Sequence, residues 1–266
     1  MEFIEFFKRS VSPIKPEGKG GVERPARMDD AEAEAFIKNR VNLEEIEKEL
    51  NKIIPGELFA CHGVLDNISR LVVELRERLP LYDSVISDDT SGRIVSLFFR
   101  ELIKNKRRKD KKPLQTYFIL GGHDLSFDAK KNVELFIEDK GQALGKTLLV
   151  TEVIDMGEAT GILTDTLERH NINFDLAAVS AQPNPRYAPS TSRHLFYGKE
   201  NNLGMRAFWN QNHFAGVMKV PKSKSSHPSA IRPDPLDDLY DLVMEKAPKA
   251  REQLKRAAEL LMPLLD

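Results

Sequence analysis

Apolar positions along this chain follow two rhythms, and the change between them comes near residue 80. Before it, Leu43, Ile46, Leu50 and Ile53 recur at three- and four-residue spacing, and so do Leu65, Ile68, Val72, Leu75 and Leu79. That spacing lays an apolar stripe along a helix. Asn42 with Glu45 predicts a capping box for the first helix, Val41 with Ile46 predicts the staple beside it, and Pro55–Gly56 predicts its stop. Pro80 predicts the end of the second. Beyond residue 80, short apolar runs alternate with helical patterns. Strands are predicted at 83–87 (DSVIS), 115–120 (QTYFIL), 148–150 (LLV) and 174–181 (FDLAAVSA), with helices at 91–103 and 158–169. A continuous apolar run suits a strand covered on both faces, and strands separated by helices make parallel βαβ units. The expected fold is therefore α/β, a Rossmann-like parallel sheet flanked by helices, with an N-terminal helical extension and a C-terminal helix.

The flanks read differently. Residues 10–30 combine Pro, Gly and charge with little to bury, which predicts a flexible segment. The boundaries follow: a flexible segment at 1–35, a helical extension at 36–80, an α/β domain at 81–234 and a C-terminal helix at 235–266. That last helix is charged and amphipathic over 235–262, with a break expected near Pro248. Residues after Pro183 are rich in Pro, Ser, Asn and Arg and show no clear period.

The chemistry concentrates in residues 147–160, TLLVTEVIDMGEAT. An apolar run leads to Glu152, then Val153 and Ile154, then Asp155 and a glycine turn at Gly157 that opens a helix. Backbone N–H groups at such a turn, with the helix dipole behind them, favour a phosphate. This segment resembles the PRPP-binding loop of the type I phosphoribosyltransferases. The family runs from hydrophobic residues through two acidic ones to two more hydrophobics, then a small hydroxyl-rich turn. Here Thr151 stands at the first acidic position, and Met156 and Ala159 stand where the family places hydroxyl residues. The resemblance implies that Glu152 holds the ribose, that Gly157, Glu158, Ala159 and Thr160 cradle the 5′-phosphate, and that Asp155 takes a proton from the acceptor. An Asp at this place leans the acceptor toward purines.

A second loop supports the first. SDDTSGR (87–93) ends the first predicted strand just before a helix, where the family binds pyrophosphate. Ser91, Gly92 and Arg93 match that placement, with Arg93 offering a fork of donors. Asp88 and Asp89 repel pyrophosphate unless magnesium lies between, so Asp88, Asp89 and Glu152 are the expected metal ligands and Mg2+ the expected cofactor. The simpler reading of Asp88, Asp89 and Thr90 is a helix cap. The resemblance further implies a mobile catalytic loop after the second core strand, a place occupied by 131–146. It also implies an aromatic near the acceptor, with Tyr187, Phe196, Tyr197 and Trp209 as candidates.

Other features stay open. GGHDLSFD (121–128) offers His123 and Asp124 for proton transfer or metal, or a loop without a task. Cys61 and His62 cannot close a zinc site alone. The run at 104–112 holds seven basic residues in nine. It reads as an RNA site or, more simply, as a solvated helix end. Composition bounds the rest. A chain of 266 residues that is 41% hydrophobic can bury a sizeable core, and a net charge of −1 predicts no global attraction to nucleic acid or acidic membranes. No apolar run approaches the roughly 20 residues that span a bilayer. One cysteine and a charged N-terminal stretch predict a cytoplasmic protein. The expected activity is transfer of ribose-5-phosphate from PRPP to a nucleobase-like small molecule, with room for a homodimer. A PRPP-binding regulator without turnover and an RNA- or protein-interaction module are the alternatives.

Overall fold

The computed structural model describes residues 27–55, 59, 63–88, 92–107, 111–119, 127–154, 158–181, 195–200 and 240–266. The elements are α1 (Asp30–Arg40), α2 (Leu43–Ile53), α3 (Val64–Leu75), β1 (Ser84–Asp88), α4 (Gly92–Lys106), β2 (Gln115–Ile119), α5 (Phe127–Leu144), β3 (Thr147–Ile154), α6 (Glu158–Arg169), β4 (Phe174–Ala181), β5 (Leu195–Glu200) and α7 (Tyr240–Leu260). Five strands form one sheet in the order β2-β1-β3-β4-β5, and every pairing is parallel. This is a doubly wound α/β order.

Strand alternation divides the interior in two. Val85, Leu148, Val150, Ala177 and Val179 join a core built with α3, α4 and α7, while Ile86, Leu149, Leu176 and Ala178 join one built with α5 and α6. Both faces are therefore covered, as an all-parallel sheet requires. The helices before β1 share the first core with the sheet: Leu50, Ile68, Leu71 and Leu75 pack with Phe98, Phe99 and Leu254. Phe98 sits edge-on to Phe99 with ring centroids 5.2 Å apart. Asn42 caps α2 as its spacing predicts, accepting from the Glu45 N–H at 3.3 Å.

Several elements depart from the sequence expectation, each for a local reason. The N-terminal helix begins at Asp30, inside the segment expected to be flexible. Asp29 caps it, and Arg70, 2% exposed, donates to the carbonyls of Met28, Asp29 and Asp30. α3 ends at Leu75 rather than at Pro80, and a 3₁₀ turn at Leu79–Leu81 follows. The early stop lets Arg78 and Tyr82 reach Asp175, which is 1% exposed. Tyr82 donates to it at 2.7 Å, and Lys146 lies at 3.7 Å. Burial, reinforced by the Asp175 charge, pushes the Tyr82 phenol well above its ordinary range, so it stays a donor.

Residues 131–144, expected as a mobile loop, belong instead to the 18-residue helix α5. Val133, Ile137 and Leu144 fall on one face of it and are buried against the sheet, which fixes it there. α7 runs through Pro248 without the expected break. Pro248 is exposed, and Ala250, Leu254, Ala257 and Ala258 beyond it are held by burial. The basic run is tied into the fold. Lys106 donates to Asp266 at 2.8 Å, Arg107 to Asp83 at 2.8 Å and Lys111 to the Pro80 carbonyl at 2.9 Å. Residues 108–110 of that run lie outside the described residues. No helix among the described residues is long and apolar enough to cross a membrane.

Candidate functional site

The strand order reverses between β1 and β3. From β1 the chain passes into α4 on one face of the sheet, and from β3 it passes into α6 on the other. In open α/β sheets this switch point leaves a crevice beyond the carboxyl ends of the two strands, and ligands bind there. Ser87 pairs in register with both Val150 and Phe118, so β1 closes beside the middle of β3, which runs on past it. The two stretches that the sequence singles out, 87–93 and 147–160, contain the carboxyl ends of these two strands, with residues 89–91 and 155–157 outside the described residues.

β3 runs on to Ile154, four residues past the predicted strand end. Glu152 is thus a strand residue, and it is 3% exposed. Thr151 beside it is 1% exposed. α6 opens at Glu158, so Glu158, Ala159 and Thr160 form its first turn, where N–H groups lack helical partners. Thr160 is 2% exposed. On the other side of the crevice, Asp88 closes β1 and Gly92 opens α4. Arg93 is 4% exposed, and its guanidinium lies over the Phe118 ring, 4.3 Å from the centroid. Ser96 donates to the Arg93 carbonyl at 2.8 Å and steadies the first turn. Ser87, Arg93, Thr151, Glu152 and Thr160 thus place buried polar groups at adjoining strand ends and helix starts. Burial of polar and charged groups is costly unless they are paired.

Other predicted positions sort into three sets. Asp89, Ser91, Asp155 and Gly157 lie outside the described residues, as do Cys61, His62, His123, Asp124, Tyr187 and Trp209. Phe196 is a core residue, 6% exposed, with Arg78 5.2 Å above its ring. Tyr197 carries Arg27 over its ring at 4.0 Å, and the same guanidinium donates to the Gly198 carbonyl at 2.8 Å. Among the described residues no group of three acidic, His or Cys side chains comes together as a metal cage. Asp88 closes β1 and Glu152 lies within the neighbouring β3, two residues before its end; carboxylate oxygens are the donors that magnesium takes.

Sequence reasoning missed Ser87 and Phe118 as members of this cluster. Their signal was present: Ser87 interrupts an apolar strand at its carboxyl end, and Phe118 alternates with Tyr117, which packs on Phe136 of α5 on the other face. The chain matches no protein-family model, and no curated protein matches it well enough to count as a relative.

Proposed function

We propose that this chain is a phosphoribosyltransferase-like protein that binds PRPP in the β1/β3 crevice and transfers its ribose-5-phosphate to a nitrogen of a nucleobase-like acceptor, with purines favoured. One observation carries the reading. The strand that leads into the segment resembling a PRPP loop and the strand that leads into the segment resembling a pyrophosphate loop are neighbours at the switch point, and the first carries the buried Glu152.

In this reading Glu152 accepts hydrogen bonds from the ribose hydroxyls, and residues from Gly157 to Thr160 surround the 5′-phosphate. Ser91, Gly92 and Arg93 hold the pyrophosphate. The bond from the anomeric carbon to pyrophosphate breaks as the bond to the acceptor nitrogen forms, and the acceptor's proton passes to Asp155. Asp88, Asp89 and Glu152 would hold magnesium, which would supply positive charge to offset that of the leaving pyrophosphate. The arrangement also accommodates a regulator that binds PRPP without turnover. That second reading is favoured by Thr151, buried within β3 at a position where the family carries a carboxylate.

Glu152→Gln tests the assignment. It keeps the shape and removes the charge, so PRPP affinity measured by titration calorimetry should fall by about 1.5–3 kcal/mol, the worth of hydrogen bonds to a charged group. An affinity equal to that of the unaltered chain would remove Glu152 from the site.

A further inference from the structure

We draw no further inference here: the strongest candidate, the open cavity between the carboxyl end of α1, the start of α2 and Asp66 of α3, is lined by acidic, basic, amide and apolar side chains together, and nothing among the described residues shows what covers it.

Discussion

Asp155→Asn is expected to lower turnover by about 10²–10⁴-fold, the usual contribution of general-base catalysis, while PRPP affinity holds or rises. Asp155 follows directly on β3 and stands two residues ahead of Gly157, where the phosphate is proposed to sit. A carboxylate close to a phosphate is repelled by it, so its presence there calls for a task or a proton. Taking the acceptor's proton is such a task. Asn preserves the shape and removes the base, and loss of the repelling charge favours the anionic ligand. Steady-state kinetics beside calorimetry separates the two effects. Helix capping is the competing role, and Asn caps nearly as well as Asp. Unchanged turnover in the variant would therefore assign Asp155 to capping.

Gly198→Ala is expected to destabilise the fold by about 3 kcal/mol, the upper end of what overpacking costs. A Cβ at this position would lie 2.2 Å from the Asn67 carbonyl oxygen and 2.6 Å from that of Val179. Both atoms are backbone, in α3 and β4, and neither can swing aside as a side-chain tip does. α3 would have to lift from β5, opening the core that the two share. For a domain of this size such a loss lowers the melting temperature by roughly 6–12 °C. Gly161→Ala is the control. Nothing lies within 4 Å of a Cβ there, and Ala is favoured over Gly in a helix by about 1 kcal/mol. Calorimetric melting should move the two variants in opposite directions, and a Gly198→Ala protein as stable as the original would show that the α3–β5 contact yields.

Much of the scaffold was legible because its signals are local. β4 and α6 occupy the predicted ranges, 174–181 and 158–169, since an unbroken apolar run and a periodic one leave little choice. β3 was underread because an acidic residue ends an apolar run in any sequence pattern. Only the tertiary setting, with β4 paired alongside, buries Glu152. β5 was not seen at all: LFYGKE is short and ends in charge, and its Gly198 weakens strand propensity while serving the close approach to α3. Helix α5 was hidden by analogy, which put a mobile loop where Val133, Ile137 and Leu144 already spelled a buried face.

The candidate site was legible as chain positions and not as a constellation. Its two loops could be placed by their strands, but the row that joins Ser87 to Phe118, and the ring beneath Arg93, depend on which strands the sheet makes neighbours. The same holds for the basic run. Its sequence reads as an RNA site or, more simply, as a solvated helix end, and the ion pairs of Lys106 with Asp266 and of Arg107 with Asp83 depend on the tertiary fold.

The most direct test of the central claim is a thermal-shift measurement on the full chain with PRPP, with and without magnesium, against pyrophosphate and nucleoside monophosphates. Ligand at about 100 times its dissociation constant stabilises the fold by about 2.7 kcal/mol, a shift of several degrees. The account predicts that PRPP with magnesium raises the melting temperature by that amount, and that omitting magnesium reduces the shift. A melting temperature unmoved by PRPP at millimolar concentration, with magnesium present, would contradict it.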